Sequence, residues 1–324
     1  MKIGILGAGN MGGAIAMGYA ARGGAVCVYD PDANKVEALA GAFAAQGAKA
    51  GGAGAEGKAG GAAGTIDAAA DEAELLAKSE AVIFAIKPQI FDDVIPKLAG
   101  ILRGAAACSA PGSGADASDS AIGSGGAGSS TADDSADGSG AAASDKVFIS
   151  IAAGISIAWL ANVLGDGAKI VRVMPNTPAM VGEGMSALAR SSSVTDDEFE
   201  SVKEVFSAVG RALEVTEAQM DAVTGISGSS PAYAYMYMQA LIESGVRHGL
   251  DERQSRVFAA QATLGAAKMV LENEGISAEQ LRLNVCSPGG TTIEAVGVLE
   301  KEGFMDTVKR AVYACVEKSK KMAK

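Results

Sequence analysis

Histidine and tryptophan each occur once in the 324 residues, aromatic side chains make up 5% of the chain, and cysteine appears four times. Cys27, Cys108, Cys286 and Cys315 include no CxxC pair, and His248 is the lone imidazole. The composition therefore excludes a structural zinc site or a His/Cys metal cluster, and it points to a reducing compartment. A basic patch is also missing. With 38 acidic against 27 basic side chains the net charge is −11, which would repel a nucleic acid over most of the surface. No run approaches the roughly 18 apolar residues of a membrane span, and the run near Tyr235 is bounded by Ser230 and Glu243. The apolar start from Met1 to Ala21 carries Lys2, but glycines and Asn10 interrupt it as they would not interrupt a secretory signal. The expectation is a cytoplasmic protein without membrane, nucleic-acid or metal partners.

What the chain does hold is 48% hydrophobic residues and 43 glycines, enough apolar surface for two domains. Lys2 to Leu6 reads as a strand, Ala14 to Ala21 has helical spacing, and Ala25 to Tyr29 reads as a second strand ending at Asp30. Further strands are predicted at Ala81 to Ile86, Val147 to Ala152, Lys169 to Met174 and Met185 to Ala189. A helix from about Asp196 to Val209 is expected as the last element before the composition changes. Strands alternating with helices predict an α/β fold with a Rossmann-type doubly wound sheet over residues 1–217. From 218 to 324 the pattern is helical, with long apolar faces in Ala232 to Gly245, Gln254 to Leu271 and Thr291 to Leu299. That excess of apolar surface predicts a homodimer or larger homo-oligomer through this second domain.

Two stretches break the pattern. Residues 41–64 are mostly Gly and Ala, and residues 104–145 are mostly Gly, Ser, Ala and Asp without any Lys, Arg or aromatic residue. Composition of this kind buries too little apolar surface to offset ordering entropy, so the second is expected as a mobile surface loop, read as a tolerated insertion.

Several groups of residues carry candidate chemistry. Gly7-Ala8-Gly9-Asn10-Met11-Gly12 follows a strand and opens a helix, the context that makes a GxGxxG informative. Gly7 permits the tight turn, Gly9 lets a pyrophosphate approach the backbone, and Gly12 lets helix and strand pack closely. Asp30 stands about 20 residues on, where a ribose 2′-hydroxyl would be held, and it leans the choice toward NADH over NADPH. Ala85, Ile86, Lys87 and Pro88 follow the carboxyl end of a predicted strand, and Ile151, Ala152 and Ala153 form a strand end of small residues. Val173 to Pro178 is a rigid turn with two prolines that fixes Asn176 near the sheet edge as a further candidate coenzyme contact. Gly228-Ser229-Ser230-Pro231 reads as a helix start with a serine cap. Cys286-Ser287-Pro288-Gly289-Gly290-Thr291-Thr292 gives a turn whose free N–H groups open onto a helix beginning near Thr292, a cradle for a carboxylate. His248, before Gly249, reads as a helix C-terminal cap.

Together these motifs resemble pyrroline-5-carboxylate reductase. The resemblance rests on GAGNMG, AIKPQ, SIAAGIS, RVMPNTPAMVGEG, GSSPAY, NVCSPGGTTIEAV and VLEKEGF, and covers nearly everything outside the two low-complexity stretches. It implies hydride transfer from NADPH or NADH to the C=N bond of L-1-pyrroline-5-carboxylate, giving L-proline. It further implies dinucleotide contacts on Leu6 to Met11, Ala85 to Pro88 and Ile151 to Ala153. The substrate carboxylate would rest on Gly290, Thr291 and Thr292, with Ser287 and Asn284 lining the pocket and the Thr292 hydroxyl near the ring nitrogen. Departures are Ser230 where the family commonly has Gly, Glu72 where many members offer an Asn to the adenosine, and the 104–145 insertion. A β-hydroxyacid dehydrogenase would need a lysine donor, which Ala232 to Arg247 lacks. A coenzyme sensor with a degenerate site is the other alternative, and intact Ser287, Thr291 and Thr292 speak against it.

Overall fold

The computed structural model describes residues 1–50, 64–109 and 145–324, with side chains described except at 47–50 and 105–109. The chain divides into two compact units. One holds Met1–Arg172 and Arg190–Ser201, the other Val173–Ala189 and Val202–Lys324. This division falls earlier in the chain than residue 217.

In the first unit the strands β1 (Lys2–Leu6), β2 (Ala25–Tyr29), β3 (Thr65–Ala68), β4 (Ala81–Phe84), β5 (Val147–Ser150) and β6 (Lys169–Met174, whose last two residues belong to the second unit) run in the order β3-β2-β1-β4-β5-β6. Each neighbouring pair is parallel. β1, β4 and β5 read as nearly continuous apolar runs because strands of such a sheet are buried on both faces. The intervening helices are α1 (Asn10–Ala21), α2 (Ala33–Ala50), α3 (Glu72–Lys78), α4 (Phe91–Ser109) and α5 (Ile157–Leu164). Side chains cap two of them: Asp71 accepts from Glu74 N–H, and Ser156 accepts from Trp159 N–H. Phe84 stacks on Phe148 at 5.9 Å and meets Phe91 edge-on at 6.2 Å, an aromatic knot fully buried under the centre of the sheet. Each such ring removed from water contributes about 2–3 kcal/mol.

Several expectations shift here. The first ten residues of the 41–64 stretch continue α2, because Ala-rich sequence has high helix propensity and tolerates scattered Gly. Residues 104–109 likewise finish α4, while the loop expected over the rest of 104–145 lies outside the described residues apart from residue 145. β3 is an additional strand, short and mostly exposed.

The second unit includes β7 (Gly184–Arg190) up to Ala189 and β8 (Gly210–Glu214), which pair in parallel. α6 (Asp196–Ser207) therefore is not the last element before the helical part, since β8 follows it. Then come α7 (Met220–Val223), α8 (Ser230–Arg247), α9 (Glu252–Glu272), α10 (Ala278–Asn284), α11 (Thr291–Lys301) and α12 (Phe304–Met322). α8 and α9 pack closely, and a Cβ on Gly245 would press on Ser255 at 2.5 to 3.0 Å. The corner between them is made by His248, whose Nδ1 lies 2.7 Å from the Ser244 carbonyl, and by left-handed Gly249. Asp251 and Gln254 form a reciprocal capping box at the start of α9.

Candidate active site

The register of the parallel strands brings the first set of candidates to one edge. Tyr29, Leu6, Phe84 and Ser150 lie side by side across β2, β1, β4 and β5. The residues that follow them are Asp30, Gly7, Ala85 and Ile151, so all four expected coenzyme segments leave the sheet at the same carboxyl edge. β1 lies between β2 and β4, the point where the strand order reverses and where open α/β sheets take their ligands.

Gly7 has φ 108°, and a Cβ there would stand 2.6 Å from the Ala85 carbonyl oxygen. A Cβ on Gly12 would collide with the Gly7 carbonyl oxygen. Gly9 differs from both: among the described residues, and apart from its own chain neighbours, no atom lies within 4 Å of the place its Cβ would take. The fold therefore requires Gly7 and Gly12 for its own packing, whereas bare backbone at Gly9 serves whatever approaches the loop from outside. Gly9 is also the N-cap of α1, with no side chain capping the helix and no acidic residue in its first turn. Free N–H groups, the positive end of a 12-residue helix and an uncovered glycine suit a dinucleotide pyrophosphate.

Asp30 is largely buried. Its Oδ2 accepts from Ala8 N–H at 2.9 Å, its Oδ1 accepts from Asp32 N–H at 2.9 Å, and Lys35 Nζ lies 3.5 Å from Oδ1. The carboxylate thus latches the glycine loop to the end of β2. Glu72, in the first turn of α3, is bound to Lys97 at 2.8 Å. Ala85 N–H donates to the Leu6 carbonyl, and a 3-10 turn at Pro88–Ile90 leads into α4 with Lys87 exposed. Ala152, nearly buried, hydrogen-bonds through its N–H to Ser150 Oγ at 3.4 Å. On β2, burial pushes the Cys27 thiol up and keeps it inert.

Asn176 belongs to the second unit. Its Nδ2 donates to the Ser227 carbonyl at 3.0 Å and its Oδ1 accepts from Met185 N–H at 2.8 Å, with 8% of the residue exposed. The amide is committed on both sides to holding the Pro-Asn-Thr-Pro turn. Ser227 lies in a π-helical turn, Thr224–Gly228, closed by Ser229 N–H onto the Thr224 carbonyl. That turn runs directly into α8, so the expected serine cap does not form: Ser229 has α-helical dihedrals, Ser230 is already the first helical residue, and Ser229 Oγ takes a bond from Cys315 Sγ at 3.2 Å instead. Burial, then the Cys315 contact, raises the nearby Tyr233 hydroxyl.

The Ser287–Gly290 turn opens onto a helix that starts at Thr291, one residue earlier than expected. Gly289 has φ 71°, Gly290 N–H donates to the Ser287 carbonyl at 3.0 Å, and Gly290 is the N-cap of α11 without a side-chain cap. The first-turn N–H groups of Thr291 and Thr292 thereby remain unspent by side chains, with the Ser287, Thr291 and Thr292 side chains exposed around them. Asn284 Oδ1 accepts from Gln280 Nε2 at 2.9 Å. Among residues the motifs did not single out, Arg282 reaches Glu279 and, across the loop, Glu300. The i,i+3 spacing of Glu279 and Arg282 was the only signal for it in the sequence.

A family model described as pyrroline-5-carboxylate reductase dimerisation matches residues 217–322, and one described as NADP oxidoreductase, coenzyme F420-dependent, matches residues 2–110. The chain is 35% identical over 327 residues to the pyrroline-5-carboxylate reductase of Escherichia coli, covering 100% of this chain and 98% of that one. The solved structure of a pyrroline-5-carboxylate reductase from Coxiella burnetii superposes with TM-score 0.75 at 26% identity, covering 99% and 98% of the two chains. The Plasmodium falciparum pyrroline carboxylate reductase, solved with NADP bound, gives TM-score 0.72 at 28% identity over 100% of both chains. Full-length similarity at this level shows that the chain belongs to the pyrroline-5-carboxylate reductase family.

Proposed function

We infer that this chain catalyses reduction of L-1-pyrroline-5-carboxylate to L-proline with NAD(P)H, the last step of proline biosynthesis. The observation that carries it is end-to-end similarity to a reductase of that name, together with a helix N-terminus left uncapped at Gly290-Thr291-Thr292. Leu6 to Gly12, Ala85 to Pro88 and Ile151 to Ala153 would hold the dinucleotide, which when bound supplies the hydride. Asp30, with lone pairs still available beyond its two backbone bonds, meets a ribose hydroxyl and favours NADH; Lys35 beside it tempers that preference.

The substrate carboxylate rests against Gly290 and receives the Thr291 and Thr292 N–H groups and the Ser287 hydroxyl, so binding is anchored on backbone and not on a surface cation. Asn284 lines the same pocket. The Thr292 hydroxyl hydrogen-bonds at the ring nitrogen. Reduction of an imine places hydride on carbon and requires one proton on nitrogen, which a hydroxyl, water or a substrate already bound as iminium provides. No committed strong acid is needed, in keeping with a cradle built of Ser, Thr and Gly.

Homodimerisation or further assembly through α8 and α9 is supported by their exposed Met236, Tyr237, Val257 and Phe258 and by the dimerisation model matched over 217–322. Among the described residues no helix is long and apolar enough to cross a membrane. The deciding experiment is oxidation of NADH and of NADPH with pyrroline-5-carboxylate, comparing the wild type with Thr292→Ala. Proline formation is expected, with kcat/KM about 10- to 100-fold lower in the variant, as for loss of a hydrogen bond to a charged group worth about 1.5–3 kcal/mol. Coenzyme binding without turnover would return the reading to a sensor or to a different imine substrate.

A further inference from the structure

The loop that carries the cradle, residues 285–290, is framed by α10 and α11, and these two helices have different supports: α10 rests on α9 and α11 on α12. One side chain joins them directly. Arg282, in the last turn of α10, donates from Nη1 to Glu300 Oε1 at 2.9 Å, near the end of α11. Two more of its N–H groups go to Glu279, Nε to Oε2 at 3.1 Å and Nη2 to Oε1 at 2.6 Å.

We propose that Arg282 is a positioning residue for the substrate site, a planar clamp that fixes the span of the 285–290 loop and so keeps the Thr291 and Thr292 N–H groups aimed at one carboxylate. The proposal rests on the pyrroline-carboxylate reading of the cradle. An isolated exposed ion pair contributes little, but a two-point Arg–carboxylate bond extended to a second carboxylate is the network geometry that does contribute. Glu279 fixes the rotamer of the guanidinium, and Glu300 receives its free arm. The Arg282 hydrogen bond holds the Glu279 carboxyl below its usual range, so the pair stays ionised at neutral pH. Within the loop, Val285 N–H donates to the Arg282 carbonyl and Cys286 N–H to the Leu283 carbonyl, so the end of α10 passes its orientation directly into the cradle. Lysine at this position would offer a point charge without the fork and would meet one carboxylate at a time.

A clamp and a bare attractive charge make opposite predictions for Glu300. If Arg282 acted only by drawing in an anionic substrate, neutralising Glu300 would free more positive charge and lower the KM. If it acts as a clamp, Glu300→Gln weakens the tie and raises the KM.

The test uses the full chain, with steady-state kinetics and hydrogen exchange of the peptide 285–292, in Arg282→Ala, Arg282→Lys and Glu300→Gln. For Arg282→Ala and Glu300→Gln we expect a 3- to 10-fold higher KM for pyrroline-5-carboxylate, about the effect of a small charge network. The kcat and the KM for coenzyme should stay within twofold, and exchange of the loop amides should be faster. Arg282→Lys should recover part of both effects. A lower KM in Glu300→Gln, or unchanged loop exchange in both variants while melting shows them folded, overturns the clamp. A wild type that turns over no pyrroline-5-carboxylate removes the reductase reading alone, and loop exchange then decides whether the tie exists.

Discussion

The two units treat their apolar residues in opposite ways. In the first, Ile3, Ile5, Ile83, Phe84, Phe91, Phe148 and Ile149 are all within 1% of complete burial. In the second, α8 and α11 contain no buried residue at all, and Met236, Phe258 and Tyr313 are 75%, 62% and 68% exposed. A parallel sheet is covered on both faces by its own helices, so the first unit closes its core within one chain. A helical layer with apolar sides facing outward leaves that task to another copy. The coenzyme candidates other than Asn176 are built on the self-sufficient unit, and the substrate candidates on the unit whose surface asks for a partner.

Breaking the comparison at its centre has the largest expected effect. Phe148→Ala removes a ring stacked on Phe84 and should cost about 3–5 kcal/mol in chemical denaturation. Met236→Asp, at a residue equally apolar but exposed, should leave the melting of the first unit nearly unchanged and shift sedimentation toward the monomer. Equal loss of folding in both variants would erase the distinction.

The glycine loop sharpens the same contrast on a smaller scale. Gly12→Ala forces a methyl against the Gly7 carbonyl and should destabilise the first unit by about 1–3 kcal/mol. Gly9→Ala meets no atom beyond its chain neighbours, so apart from a small helix-cap cost its stability in denaturant should stay above that of Gly12→Ala while NADH titration weakens. Wild-type coenzyme affinity in Gly9→Ala would contradict the assignment of that backbone to a pyrophosphate.

The smallest effect concerns charge in the first unit. Glu198 is opposed by burial, but hydrogen bonds from Lys169 and Thr195 prevail and hold its carboxyl below the usual range. A lowered folded-state pKa means stability that is present above the unfolded value near 4.3 and lost as pH falls through the folded one. The difference between wild type and Glu198→Gln, about 0.5 kcal/mol after allowance for partial exposure, should be constant from pH 7 down to about 5 and vanish on further acidification. A difference that persists at low pH would mean that packing, not charge, is responsible.

Much of this was legible from the chain alone. β1 and β2 have the bounds their apolar runs suggest, because a strand buried on both faces writes its length into the sequence as nearly uninterrupted hydrophobicity, and β6 has its expected bounds although Arg172 interrupts it. β3 and β8 were not legible: Thr-Ile-Asp-Ala and Gly-Arg-Ala-Leu-Glu are short, exposed and polar, and their strand state comes from a neighbour offering hydrogen bonds. The serine cap at α8 failed for a related reason. Local sequence favours a cap, but Asn176, held by Met185, donates to the Ser227 carbonyl within a preceding π-helical turn that runs straight into the helix.

By itself the sequence determined which residue types stand at the candidate sites: the glycines that follow the first strand, the Gly-Gly-Thr-Thr that opens a helix, and the hydroxyls around it. Those are properties of a few consecutive residues and need no partner to be read. Tertiary structure alone decided that Tyr29, Leu6, Phe84 and Ser150 share one row, that Asp30 spends its carboxylate on Ala8, and that Arg282 reaches Glu300. Each of these joins groups distant along the chain, and hydrogen-bond register and ion pairing across such separations leave no period in the sequence that either helix or strand geometry could reveal.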